Sequence, residues 1–210
     1  MRTRTARTPP WVKALLIAFV IVPSVWWLAD RKDRVGNQTR LAAIASVIAE
    51  RPVEVQCPGP IARQLFGWDP VDGSVAFGPD GQPADETKLR AEPCDELDAL
   101  AEGRRAPQLA CAERSTSCGD DTQALAQAVD VLAHEAWHLQ GVQHEGITEC
   151  RSLQTMAWTA QRLGATEAQG RGLARVHYLT GYRLLPARYQ HGGCSEAGEL
   201  DMRPDDPDFP

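Results

Sequence analysis

Hydrophobic side chains recur every three or four positions along much of this 210-residue chain, a spacing that predicts amphipathic α-helices. Four segments show it: residues 35–51, 121–140, 145–163 and 166–185. A fifth segment, residues 93–103, begins with Pro and ends with Gly, which is typical of a short helix. The pattern therefore predicts a mainly helical chain.

The segments between these helices are rich in Gly, Pro and Asp, which favour turns. Only two short stretches, residues 73–78 and 87–91, have the character of β-strands. Residues 104–119 are expected to form a loop and residues 186–210 an irregular tail. The expected fold class is therefore mainly α (α+β), with a small β element.

The amino terminus has a different pattern, because an uncharged run of 16 residues, 14–29, follows a basic segment. This length lies between a signal-peptide core and a bilayer span of about 20 residues. Trp27 fits poorly at the −3 position for cleavage after Ala29. We therefore expect an uncleaved transmembrane anchor in residues 1–34 and an exported domain in residues 35–210. Secretion after cleavage is the alternative.

Charge is distributed unevenly between these two parts. Residues 1–34 contain seven Lys or Arg against two Asp, whereas residues 35–210 contain 15 basic and 26 acidic residues. A domain with this excess of acid is a poor partner for phosphate backbones, which require clustered Lys and Arg. Nucleic acid is therefore excluded as the expected ligand.

All six cysteines follow the predicted anchor, which indicates three disulfides in an oxidising compartment and places the domain outside the cytoplasm. They are Cys57, Cys94, Cys111, Cys118, Cys150 and Cys194. Six cysteines allow 15 pairings. Closeness in the chain favours Cys111 with Cys118, and the tail residue Cys194 is the most plausible partner for Cys150. The remaining two cysteines would then pair.

The segment His134-Glu135-Ala136-Trp137-His138 carries the clearest chemical signal. Histidines at positions i and i+4 of a helix project from one face, so both imidazoles can bind one metal ion. Glu135 is offset by about 100° around the helix and can reach a bound water without binding the metal itself. This arrangement suits hydrolysis by an activated water with a carboxylate as general base.

The HExxH segment is similar to that of the zincin metallopeptidases, and the resemblance covers roughly residues 121–150. It implies a zincin-like helical domain that binds Zn²⁺ through His134 and His138 and takes a peptide or protein as its substrate. It also implies that Glu135 is the general base towards the zinc-activated water. The overall expectation is a membrane-anchored, extracytoplasmic zinc metallopeptidase. The alternative is a non-enzymatic exported module with a structural or degenerate metal site.

The third zinc ligand has three candidates. His144 completes the metzincin form HExxHxxGxxH, although no Met-turn is evident in the sequence. Glu145 and Glu149 resemble the gluzincin element, in which the first acid binds zinc and the second holds the distal nitrogen of a histidine. We favour Glu145 as ligand with Glu149 in support, while His144 and Glu149 stay open as alternative ligands.

Other parts of a peptidase site are less clearly marked. A donor to the oxyanion could come from the last helix or the segment after it, where the candidates are His177, Tyr178, Tyr182, Arg183, Tyr189 and His191. The predicted β element at about residues 73–91 could supply an edge strand that pairs with an extended peptide.

Overall fold

The computed structural model describes residues 36–59, 72–206 and 209–210. The predicted anchor in residues 1–34 lies outside the described residues. Contacts divide the chain into Met1–Asn37 and Gln38–Pro210, and the fold below is that of the second unit. Among the described residues, no helix combines the length and the apolar character needed to cross a bilayer.

Helices make up most of the described chain, as the sequence predicts. In chain order they are α1 (36–48), α2 (Ala91–Ala101), α3 (Ala106–Arg114), α4 (Asp120–Leu139), α5 (Glu145–Arg162) and α6 (Glu167–Thr180). Two short 3₁₀ turns follow α6, Tyr182–Leu184 and Ala187–Tyr189. The predicted helix 166–185 is therefore too long at its end, because the chain leaves the α-helix at Gly181.

Helix α4 lies at the centre of the fold. It packs against α2, α3, α5 and α6 on its several sides, and against two strands. Its apolar face is completely buried, including Leu125, Val129 and Leu132. Because burial of apolar surface is the main stabilising force in folding, this helix is fixed by the core rather than by its exposed polar ends.

A three-stranded sheet covers one side of α4. Its strands are β1 (Glu54–Gln56), β2 (Gly73–Phe77) and β3 (Pro83–Leu89), in the order β1-β3-β2. β1 is parallel and β2 antiparallel to β3, with Val75 opposite Thr87. β2 is thus an edge strand of the described sheet, and it packs on α4.

The strand prediction was correct for β2 and covered only the last three residues of its partner β3. β3 begins at Pro83, four residues before the predicted start, and the predicted strands did not include β1. The sequence of β3 is PADETKL, which is largely polar, so it carries little hydrophobic alternation. Pairing with both neighbours and burial of Leu89 in the core select this strand.

The predicted loop at 104–119 is wrong, because α3 lies within it. This helix is only 9 residues long, so tertiary packing decides its formation. It lies close to α6, where the absence of a side chain at Gly172 leaves room for the backbone of Ala112. A Cβ at residue 172 would collide with the Ala112 carbonyl.

Three disulfides link the helices to the irregular segments. They join Cys57 to Cys94, Cys111 to Cys118 and Cys150 to Cys194, which is the pairing favoured from the sequence. No cysteine is free. Full pairing of all six cysteines fits a protein that matures in an oxidising environment.

Candidate metal centre

Two imidazoles and one carboxylate converge where α4 meets α5. His134 and His138 lie one turn apart on α4, and Glu145 is the first residue of α5. The Oε2 atom of Glu145 lies 3.2 Å from His134 Nε2 and 3.3 Å from His138 Nε2. The three ligand atoms all lie within 4.8 Å of one another, close enough to hold a single metal ion. We call this group the His-His-Glu cluster.

The outer nitrogens of both rings are already engaged. His138 Nδ1 lies 2.6 Å from the backbone oxygen of Val142. A carbonyl can only accept, so Nδ1 carries the hydrogen and donates it. His134 Nδ1 is placed in the same way, 2.8 Å from Glu149 Oε2. Each Nε2 atom faces Glu145, to which it donates a hydrogen bond, and it is the ring nitrogen that would give up its hydrogen to bind a metal ion.

This donor set fits zinc. Two neutral imidazoles and one carboxylate are a common protein ligand set for catalytic zinc, which keeps a further position open for water or substrate. Hydrogen bonding of the distal histidine nitrogens to a carboxylate or a carbonyl is the usual support for such ligands. The residues present therefore match the ion that the sequence motif implies.

Charge also favours a cation at this point. In the metal-free protein, hydrogen bonds from His134 and His138 hold the pKa of Glu145 well below its usual range. Burial alone would lower the pKa of His134, but its hydrogen bonds to Glu145 and Glu149 raise it well above its ordinary value. The carboxylates thus create a site that stabilises positive charge between the rings.

The loop between the two helices explains where His144 lies. Helix α4 ends at Leu139, and Gly141 takes a positive φ of 107°, which turns the chain towards α5. His144 is the N-cap of α5, and its Nδ1 accepts a hydrogen bond from the Ile147 backbone at 3.3 Å. This exposed imidazole lies outside the His-His-Glu cluster.

Glu149, the other candidate ligand, lies one turn into α5 and faces the outer side of His134. Its carboxylate is therefore positioned to orient that ring rather than to join the two Nε2 atoms. The geometry therefore favours Glu145 as third ligand with Glu149 in support.

Glu135 lies beside the cluster and is buried against the sheet. Its Oε2 is 3.4 Å from the hydroxyl of Thr87 on β3. Gly73 on β2 has no side chain, and a Cβ there would come within 2.6 Å of the Glu135 carboxylate. Burial raises the pKa of Glu135, and a raised pKa makes a carboxylate a better proton acceptor near neutral pH.

Two cavities meet at Glu135. One, of about 370 Å³, is bordered by strand β2 and by the His-His-Glu cluster. The other, of about 340 Å³, extends along α4 past Val131 to Leu185 in the tail. Both are lined by Gly73, Glu135 and Tyr189, so the two cavities are neighbours, and we call them together the cleft.

Of the six candidates for an oxyanion donor, Tyr189 borders both cavities, and its ring centre lies 6.1 Å from that of His134. His177 borders the second cavity, but its Nε2 faces buried carboxylates. The hydroxyl of Tyr182 accepts a hydrogen bond from the backbone of His191. Tyr178 and Arg183 pack in the aromatic cluster that also contains Tyr182.

Three residues of the site were not identified from the sequence: Asp130, Thr87 and Gly73. Asp130 lies one turn before His134 on the same face of α4, so its spacing offered a signal. Thr87 and Gly73 lie about 50 and 60 residues before the motif. Only the packing of the sheet on α4 brings these two residues to Glu135, and local sequence carries no sign of it.

The described residues thus combine a metal-ligand set, a buried carboxylate beside it and a cleft bordered by an edge strand. No protein-family model, curated protein or solved structure matches the chain. The resemblance to zincin metallopeptidases therefore depends on the sequence around His134 to Glu149 alone.

Proposed function

We propose that this protein is a zinc-dependent metallopeptidase that acts outside the cytoplasm. In this proposal His134, His138 and Glu145 bind Zn²⁺, and Glu149 orients the ring of His134. The observation that carries the proposal is the convergence of both Nε2 atoms on one carboxylate oxygen while both Nδ1 atoms are engaged elsewhere.

The chain's own residues would perform the proton transfers. Zinc, when bound, supplies a Lewis acid that activates water and polarises a carbonyl. Glu135 accepts the proton from the attacking water and passes it to the leaving amine. Its position beside the His-His-Glu cluster and its raised pKa support this role. Tyr189 is the candidate donor to the carbonyl oxygen, because its ring borders both cavities.

A peptide is the substrate that the cleft suits best. β2 pairs with β3 on one side only within the described sheet, and it borders the cavity next to the cluster. An extended peptide can add to such an edge through main-chain hydrogen bonds. This pairing would place a scissile bond beside Glu135.

The three disulfides support a location in an oxidising, extracytoplasmic space. We further propose that residues 1–34 attach the domain to the cell membrane as a single-pass anchor. This part of the proposal depends only on the basic segment and the 16-residue uncharged run in the sequence.

A non-enzymatic protein with a structural zinc is the second candidate. Structural zinc sites usually hold four protein ligands, often with cysteine among them. The cluster found among the described residues has three, and every cysteine is in a disulfide. Glu135, buried beside this cluster, also has no evident use in a purely structural site. Both features favour the enzyme.

The test is the variant Glu135→Gln in the full chain. The amide fills the same space but cannot accept a proton, so zinc content should stay near that of the wild type while cleavage of quenched-fluorescent peptides is lost. Glu113→Gln makes the same chemical change on an exposed face of α3 and is the matched control. Peptide cleavage by Glu135→Gln at the wild-type rate would exclude Glu135 as the base.

A further inference from the structure

A second group of charged side chains is buried behind the His-His-Glu cluster. Asp130 of α4, Glu149 of α5 and His177 of α6 are each no more than 5% exposed. His177 Nε2 lies 3.4 Å from Asp130 Oδ2 and 3.4 Å from Glu149 Oε1. Three helices therefore each contribute one charged group to the same buried point.

The two groups are arranged as adjacent layers along the same helices. Asp130, His134 and His138 occupy successive turns of α4, which places them on one face. Glu149 joins the layers, because its Oε2 lies 2.8 Å from His134 Nδ1 while its Oε1 faces His177. Any change in the position of Glu149 is thus transmitted directly to a proposed zinc ligand.

Every carboxylate oxygen in this second group has a partner within the chain. Asp130 Oδ1 accepts from the Ser152 hydroxyl at 2.5 Å, and Asp130 Oδ2 faces His177. Glu149 divides its two oxygens between His134 and His177. This complete set of partners favours an internal ion-pair network over a second metal site, although the donor spacing alone would allow a metal.

Electrostatics explain why a histidine is buried next to these two acidic side chains. A buried carboxylate is costly unless a cation or hydrogen bonds compensate it. Burial alone would lower the pKa of His177, but Asp130 and Glu149 raise it to about 10. At neutral pH His177 is therefore an imidazolium, and its Nε2 lies between Asp130 and Glu149.

We propose that His177, held by Asp130, is a positioning residue that acts through Glu149 to orient His134 for zinc binding. This inference rests on the proposed zinc site. It assigns a role in the site to a residue of α6, a helix that contributes none of the three proposed ligands. Loss of support for a ligand of this kind typically weakens metal binding by about 10–100-fold.

The experiment measures zinc affinity of the full chain by competition with a chelator, with zinc alone as the ligand. His177→Gln should weaken binding by about 10–100-fold. The same substitution in a Glu149→Gln background should have little further effect, because two residues that act through one contact are not additive. Thr159→Val, a buried polar-to-apolar change on α5 away from both groups, should bind zinc like the wild type.

Three results would overturn the inference. The first is a zinc affinity of His177→Gln equal to that of the wild type. The second is an equal loss of zinc affinity when His177→Gln is made in the wild-type and in the Glu149→Gln background, which would mean that His177 has a merely structural role. The third is two zinc ions per wild-type chain and one in His177→Gln, which would make the second group a metal site. If His177→Gln does not fold, Asp130→Asn replaces it and should weaken zinc binding in the same Glu149-dependent way.

Failure of this inference can be separated from failure of the proposed function. Zinc binding by the wild type without peptide cleavage would contradict the peptidase but leave the role of His177 intact. Zinc binding and cleavage that are both indifferent to residue 177 would contradict only the inference. A wild-type chain that binds no zinc would contradict both.

Discussion

Glu145, Glu149 and His144 lie within six residues of one another, yet each side chain has a different environment. The carboxylate of Glu145 faces both Nε2 atoms, whereas Glu149 contacts the outer nitrogen of one ring. His144 caps α5 and is not part of the cluster. The start of α5 sets these differences, because it makes His144 the N-cap, places Glu145 in the first turn and places Glu149 one turn further on.

This arrangement predicts a graded effect of three substitutions on zinc binding. Glu145→Ala should abolish tight binding, because the site loses a ligand and its negative charge. Glu149→Ala should weaken binding by about 10–100-fold, since only the support of His134 is lost. His144→Ala should leave stoichiometry near one zinc per chain. Metal titration of the three purified variants measures the order.

As a control, circular dichroism of each variant without metal should show that its helical structure is retained. Zinc lost from His144→Ala but retained by Glu145→Ala would contradict the ligand assignment and favour the alternative in which His144 is the ligand.

At the scale of whole elements, the sequence predicted best those helices whose hydrophobic spacing is regular over their whole length. The spacing of hydrophobic residues predicted α4 and α5 to within one residue of their observed starts. The HExxH segment and the acids that follow it lie on these two helices. The same reasoning missed α3 and β1, whose formation depends on packing or pairing with distant parts of the chain.

The contact between the buried charges of the second group could not be predicted from the sequence either. Asp130 and His177 are 47 positions apart in sequence and meet only because α4, α5 and α6 pack together. His177 was considered only as an oxyanion donor, since nothing in α6 indicates a buried carboxylate partner. Residues of the HExxH segment and of the stretch directly after it could be predicted, whereas a contact with a helix distant in the chain, such as α6, could not.

The tail after α6 forms one wall of the cleft, and the disulfide from Cys150 to Cys194 holds it on α5. The second 3₁₀ turn, which contains Tyr189, packs on α5. Gly146 allows this approach, since a Cβ there would come within 2.8 Å of the Gln190 carbonyl oxygen. The tail is thus both part of the core and part of the proposed substrate site.

We therefore expect that removal of this disulfide by Cys150→Ala with Cys194→Ala impairs catalysis as well as stability. The loss in stability should be about 2–5 kcal/mol. Peptide cleavage should fall at temperatures where the variant is still folded, with zinc retained, because Tyr189 is no longer held over the cleft. Thermal unfolding, zinc content and kcat/KM of the same samples test this.

Removal of the disulfide between Cys111 and Cys118 is the matched control. This bond links α3 to the loop before α4, and neither cysteine borders the two cavities. Its loss should lower stability without changing kcat/KM of the folded protein. An equal effect of both removals on kcat/KM would show that the tail has no specific role.

At the scale of the whole molecule, an acidic domain is built around a buried cation. Residues 35–210 contain 15 basic and 26 acidic residues, and most of those that the structure describes are partly or fully exposed. His177 is different, because Asp130 of α4 and Glu149 of α5 face it within the core. Its ion pairs therefore contribute to the stability of the whole fold in a way that depends on pH.

The sign of this dependence follows from the folded-state pKa of His177, which Asp130 and Glu149 raise to about 10 against the opposing effect of burial. The unfolded value is about 6.5. A group whose pKa is raised on folding contributes its full stability below pH about 6.5 and loses it as pH rises towards 10.

The free energy of unfolding in urea, measured with a metal chelator present, should therefore differ most between wild type and His177→Gln near pH 6.5. This difference should shrink steadily towards pH 10, and a difference that stays constant or grows over that range would mean that His177 is not a cation in the folded protein.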